Sequence, residues 1–214
     1  MQKLKIKNQK NLFGKTGFTL VELIVVIAVL LFVVGTAVGI FISIAQHQRI
    51  ILSEQELLNQ ASFVLERMSK ALRVAGKDLT GECLGFRGYN YLLTRPDLST
   101  STYMGIKFIN QSDNNACQEF YLENSVLKEI KNNNPWVALT SDKFMINSIR
   151  FGINGGNGCY GVNCVDSSKE SDGIQPRITI YLDVQTKIKG DDGQPIQPAK
   201  KIQTTISQRD LNVP

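Results

Sequence analysis

"GKTGFTLVELIVVIAVL", residues 14–30, sets a single carboxylate, Glu22, at the mouth of an apolar run that continues to Ala45. Leu23 to Ala45 is 23 residues with only Thr36 and Ser43 as mildly polar interruptions. That exceeds the roughly 20 residues needed to cross the hydrocarbon core of a bilayer. A carboxylate at the centre of such a span costs roughly 2.5–3.5 kcal/mol on insertion scales, so Glu22 needs a reason. Upstream lie Lys3, Lys5, Lys7, Lys10 and Lys15 without any acid, and they account for the whole formal net charge of +5. Residues 18–214 balance to zero, which offers no basic face to DNA or RNA. Lysines on one side only place the N-terminus in the cytoplasm and the chain after residue 46 outside.

A basic start followed by a long apolar run has three readings. A cleaved secretory signal has an apolar core of about 7–15 residues ending in small residues. Ser43 and Ala45 suit such a cut, but the core is too long. A plain uncleaved anchor fits the length and leaves Glu22 unexplained. The third reading follows the order of the residues: a lysine-rich leader, Gly17, then Phe18-Thr19-Leu20-Val21-Glu22 opening the apolar helix. That order resembles the processing site of type IV prepilins and pseudopilins. The resemblance implies that a prepilin peptidase/methyltransferase cuts between Gly17 and Phe18 on the cytoplasmic side and N-methylates Phe18. Many major pilins carry a proline in the second half of the apolar segment. This chain has Gly35 and Gly39 there instead, spaced G-x-x-x-G. Such spacing permits close helix–helix approach or loosens the helix locally.

Cleavage at Gly17 puts Glu22 four residues into the helix, roughly 6 Å from its start at 1.5 Å per residue. There it sits near the interface, where burial costs less than at mid-bilayer. The positive end of the helix dipole also favours an acid in the first turn. The cut exposes an α-amino group with a reference pKa of about 7.7–8.0, and methylation leaves it basic. In the family this glutamate is thought to meet the terminal amine of a neighbouring subunit, so the resemblance implies that Glu22 sets registry in a filament. The bland alternative is a snorkelling interfacial side chain.

Past the apolar run the helix is expected to continue to about Ala75, with Gly76 as its stop. Ile44, Ile51, Leu58, Leu65 and Leu72 recur every seven residues, and Ala61, Met68 and Ala75 fill the i+3 positions. This predicts one apolar stripe. Beyond it, "YMGIKFIN" (103–110), "EFYLENSVLKEI" (119–130), "KFMINSIRFGI" (143–153), "RITIYLDVQTKI" (177–188) and "KKIQTTIS" (200–207) read as strands. The second holds a Glu-Asn-Ser turn and the third an irregularity near Ser148. Clean alternation, as at Ile178, Ile180, Leu182 and Val184, predicts an antiparallel sheet with one covered face. The helix is the cover. The expected fold class is α+β and pilin-like. Residues 1–17 form a leader, 18–45 a transmembrane or filament-core helix, 46–75 its amphipathic continuation, and 76–214 an extracellular β-rich domain. "FYLENSVLKEI" followed by "LTSDKFMINSIRF" also resembles, at the level of pattern, the larger minor pilins and pseudopilins.

Cys83, Cys117, Cys159 and Cys164 all fall outside the membrane in this orientation, where an even count argues for two disulfides. Three pairings are possible, and Cys83–Cys117 with Cys159–Cys164 is favoured over the others, over free thiols and over a zinc site. Residues 152–176 hold six glycines and read as a long loop that contacts a partner. Some pseudopilins bind calcium in this region, and Asp166, Glu170 and Asp172 are the candidate ligands here. The EF-hand spacing is absent, and a solvated acidic loop is the default reading. His47, the single histidine, sits just beyond the apolar run, and no phosphate loop or metal cluster accompanies it. The expectation is therefore no enzyme and no cofactor.

The leading functional expectation is a minor pilin or pseudopilin, assembled into a type IV pilus or a type II secretion pseudopilus at its tip or in initiation. Its expected partners are other pilins, the processing peptidase, an inner-membrane assembly platform and the membrane, with no nucleic acid. The protein would be a single-pass protein of the cytoplasmic membrane before assembly and part of an extracellular or periplasmic filament after it. The alternatives are a pilus-borne module for adhesion or DNA uptake, and an uncleaved anchored domain.

Overall fold

Two turns of physics organise the chain: a helix too apolar to be soluble, and strands that need a cover. The computed structural model describes residues 17–132, 134–154, 158–160 (backbone only), 175–189, 193 and 199–209. The chain divides into two units, Met1–Gln48 and Arg49–Pro214. Helix α1 spans Leu20–Arg73 and contributes to both. In the first unit it is exposed except at half-buried Ala45, and no residue of its most apolar stretch is buried.

In the second unit α1 buries Ser53, Leu57, Ala61, Val64, Met68, Ala71 and Leu72. This corrects the expected stripe. Ala61, Met68 and Leu72 are on it, Leu65 is half-buried, and Ile51 and Leu58 are exposed. A straight helix drifts by about 20° per seven-residue step, so a heptad that is buried at Leu72 has rotated off the sheet three steps back, at Ile51.

The strands are β1 (Ala75–Gly76), β2 (Tyr91–Asp97), β3 (Thr102–Asn110), β4 (Ala116–Glu123), β5 (Val126–Lys131), β6 (Val137–Ala138), β7 (Phe144–Asn154), β8 (Gly158–Tyr160), β9 (Arg177–Thr186) and β10 (Lys200–Ser207). They lie in the order β10-β9-β7-β3-β4-β5-β6, with β1 and β2 also on β3 and β8 on β2. All pairs are antiparallel except β2–β8, which is parallel. The inward residues Ile106, Phe108, Phe120, Leu127, Ile146, Ile149, Ile178, Ile180 and Leu182 meet the helix in one core.

Local chemistry explains the turns. Asn124 (φ 52°) and Ser125 (φ 61°) form the two-residue β4–β5 hairpin, whose left-handed backbone matches strand twist. The irregularity near Ser148 is a register shift between Ile146 and Ser148 on β7. It carries the inward phase from Phe144 and Ile146 to Ile149, Phe151 and Ile153.

Gly76 is not the helix stop. It pairs with Ile109 in β1, and a Cβ there would come within 2.8 Å of the Gln111 side chain. The helix end is closed by distant groups instead. The Tyr91 hydroxyl donates to Leu72 O at 2.7 Å, and the Arg209 N–H donates to Arg73 O at 2.7 Å. These satisfy carbonyls that a local cap would otherwise serve.

Helix and sheet are also pinned by a buried acid. Glu129, 4% exposed, accepts from Arg67 Nε and Nη2 at 3.0 and 2.6 Å and from Gln118 Nε2 at 2.5 Å. Gln118 Oε1 in turn accepts from Asn110 Nδ2 at 2.7 Å. A buried carboxylate is tolerable only with such partners, and they favour one rotation of α1 on the sheet.

Cys83 and Cys117 are joined, with Cα atoms 5.5 Å apart and a separation of 34 residues. The bridge ties the 77–90 segment to β4. Replacing both cysteines by serine is expected to lower the free energy of unfolding by about 4 kcal/mol, as the chain-entropy model gives for a loop of this size. Urea titration under oxidising conditions measures it. The Cys159–Cys164 pairing lies outside the described residues, as do Asp166, Glu170 and Asp172. The expected 152–176 loop is partly strand. Residues 152–154 complete β7, and 158–160 pair in parallel with Tyr91–Leu93.

Candidate functional site

The first turn of α1 starts from Thr19, which stands outside the helix as its cap. Thr19 Oγ1 accepts a hydrogen bond from the Glu22 N–H at 3.3 Å, and Thr19 O accepts the Leu23 N–H at 3.2 Å. Thr19-Leu20-Val21-Glu22 thus has the spacing of a capping box, T-x-x-E, in which a glutamate at the third helical position can reach back to the cap. That spacing is local and stands in the sequence itself. It gives Glu22 a second local reason to stand in the first turn, beside the helix dipole.

Gly17, Phe18, Thr19 and Glu22 are all exposed. Phe18 is 77% exposed and precedes the helix, so the Gly17–Phe18 peptide bond lies in non-helical, accessible chain. A peptidase needs such a backbone, because a peptide unit inside a helix is held by hydrogen bonds. Gly35 and Gly39 lie within an unbroken helix, and a Cβ built at either meets nothing within 4 Å. Thr36 Oγ1 donates to Val33 O at 2.8 Å, which satisfies its hydroxyl without an outside partner. Glu22, Gly35 and Gly39 are thus presented along one helix, with Phe18 just ahead of it, and none is covered by this chain's described residues.

His47 is exposed on α1. Among the described residues no group of three His, Cys, Asp or Glu side chains is placed to hold a metal ion. On the second unit, Ile50, Ile51, Leu52, Leu58 and Phe63 are exposed large apolar residues of α1.

Residues 13–38 match a family model described as the prokaryotic N-terminal methylation motif. The matched span contains Gly17, Phe18, Glu22 and Gly35 and stops one residue before Gly39. It supports a type IV pilin-like protein, and proteins with this motif are structural components, processed by a prepilin peptidase and assembled with other pilins. The exposed apolar helix that carries the motif is long enough to cross a membrane, consistent with anchoring before assembly. No curated protein and no solved structure matches the chain.

Proposed function

We propose that the chain is a minor pilin or pseudopilin that joins a filament, or the complex that initiates one, through α1. The carrying observation is that the methylation motif at residues 13–38 runs directly into an apolar helix left uncovered by the described residues. In this reading the peptidase removes residues 1–17 and methylates Phe18. The apolar part of α1 moves from the lipid into contact with the same part of other subunits. Both settings are apolar, so the transfer exposes no hydrocarbon to water.

Glu22 is then the registry element. Its carboxylate meets the methylated amine of the subunit ahead, a match that no shifted packing reproduces. Gly35 and Gly39 allow a neighbouring helix to approach where a side chain would hold it off. The exposed Ile51, Leu52, Leu58 and Phe63 extend the same contact along the second unit. In this reading residues 49–214 lie outside the cytoplasmic membrane, and the Cys83–Cys117 bridge, of a kind that persists in oxidising compartments, supports it.

Intact-mass measurement of the purified protein tests the processing step. The expected mature chain begins at Phe18 with one added methyl group. A chain that keeps residues 1–17 in cells with an active prepilin peptidase would return the protein to a simple anchored domain.

A further inference from the structure

The outward faces of β7, β9 and β10 align their side chains in cross-strand rows. Arg150 pairs with Tyr181 and Tyr181 with Gln203; in the next row Ser148 pairs with Asp183 and Asp183 with Lys201. Diagonal to the tyrosine, Gly152 opposes Thr179, and a Cβ built on it meets nothing within 4 Å. A hollow of ≈ 630 Å³ lies over these rows with Gly152 in its lining, and Tyr181 stands 47% exposed in it. Sites for small ligands commonly span about 300–1,000 Å³.

Three observations define what fits. First, the charges are mixed rather than of one sign. Lys201 faces Asp183 across β9 and β10, Arg150 stands diagonal to Asp183 on β7, and Asp97 adds a second acid near Arg150. Asp97 is held ionised, its pKa down to about 2, by hydrogen bonds from Ser99 and Thr100 and more weakly by the Arg150 charge. Two cations are balanced here by two acids, so the face carries no net positive charge to draw a phosphate chain. Second, the side chains of Arg150, Tyr181, Lys201 and Gln203 form no hydrogen bond or ion pair among the described residues. Together with Asp183 they offer both donors and acceptors, as a hydroxyl group requires. Third, one aromatic ring beside a glycine offers a flat apolar platform inside a polar rim.

We propose that this hollow is a saccharide site, with a neutral sugar ring on Tyr181 and its hydroxyl groups on Arg150, Asp183, Gln203 and Lys201. A sugar ring has an apolar C–H face and a rim of hydroxyls that are donors and acceptors at once, which is the complement of this surface. The hollow lies on the opposite side of the sheet from the one α1 covers. Packing through the helix therefore leaves it open, and the site stands whether or not Phe18 is processed.

The full chain in phosphatidylcholine nanodiscs is titrated with maltohexaose, cellohexaose and chitohexaose, followed by saturation-transfer NMR, with oligothymidine as the anionic comparison. At least one oligosaccharide binds and oligothymidine does not. Tyr181→Ala and Gly152→Val each weaken binding by about tenfold or more, the scale of a lost ring contact, while Tyr181→Phe retains it. Thermal melting shows whether Gly152→Val folds; Tyr181→Ala alters an exposed ring and carries the test if it does not. Binding to none of the three sugars overturns the proposal, as does binding unchanged in both variants. Preference for oligothymidine would assign the face to nucleic acid. Loss of self-association alone in the variants would assign it to a second copy of the chain.

Discussion

Glu22→Gln is expected to enter the membrane and lose its leader normally, yet to fail in assembly. The substitution removes the charge and keeps a side chain that still serves in a capping box. It therefore separates the two reasons for an acid in the first turn. An ion pair at 4 Å contributes about 4 kcal/mol at an effective dielectric of 20, which corresponds to roughly a thousandfold in the population of correctly seated subunits. Glu22→Ala removes charge and cap together and should fail to at least the same extent. Thr19→Ala removes only the hydroxyl that accepts the Glu22 N–H. It should loosen the first turn by about 1 kcal/mol and leave assembly largely intact. Co-purification with other pilin-type subunits is the measurement, with N-terminal mass as the control for processing. If the glutamine variant assembles like the parent while the alanine variant does not, the carboxylate serves the helix start and the charge-matching role is wrong.

Asp78→Ala should be the most destabilising single change in the second unit, at about 3–5 kcal/mol. The Asp78 carboxylate is fully buried and accepts the Gly81 N–H at 2.7 Å, the Leu84 N–H at 2.8 Å, the Cys83 N–H at 3.0 Å and the Thr80 N–H at 3.2 Å. The Thr80 hydroxyl adds a fifth donor at 3.3 Å. Around it the chain closes on itself through Asp78 N to Tyr89 O and Gly88 N to Asp78 O, with Gly81, Gly85 and Gly88 at positive φ. Truncation leaves several backbone N–H groups without an acceptor, each costing about 1–3 kcal/mol where water cannot reach. Asp78→Asn keeps one acceptor oxygen and turns the other toward donors as an amide, so it should fall between the two.

The same carboxylate predicts a pH dependence. Burial alone would push its pKa up, but the backbone hydrogen bonds from Leu84, Gly81 and Cys83 and the Thr80 hydroxyl outweigh burial and hold it below the usual range. A carboxyl lowered on folding stabilises the native state fully above the unfolded pKa of about 3.9. That contribution is lost as pH falls through the lower folded value. Urea midpoints measured across the acid range should decline below about pH 4 in the parent, and less steeply in Asp78→Asn. Equal slopes in the two proteins would assign the acid limb to other carboxylates.

Much of this molecule is written locally. A long apolar run, a glycine–phenylalanine junction and an acid four residues beyond the phenylalanine are one-dimensional features, and they suffice for the helix and the methylation motif. Alternation at Ile178, Ile180, Leu182 and Val184 marks a strand because successive side chains in extended backbone point to opposite faces. The Asn124–Ser125 turn is equally local. β2 was less legible because it carries Pro96 and pairs with β8 only over Tyr91–Leu93, away from the proline. β1 and β6, with two residues each, carry no periodicity to detect.

What required the fold is whatever joins residues far apart in the chain. The side of α1 that faces the sheet depends on the difference between a step of 3.6 and a step of 3.5 residues, a small angle that accumulates from Leu72 back to Ile51. The helix end is closed by Tyr91 and Arg209, and Gly76 is set by the approach of Gln111. The hollow beside Tyr181 draws on three strands between Ser148 and Gln203. Sequence by itself determined the elements, because hydrophobic pattern and turn chemistry act between near neighbours. Tertiary structure alone decided their rotation, their caps and the outer site, because those depend on groups that only folding brings together.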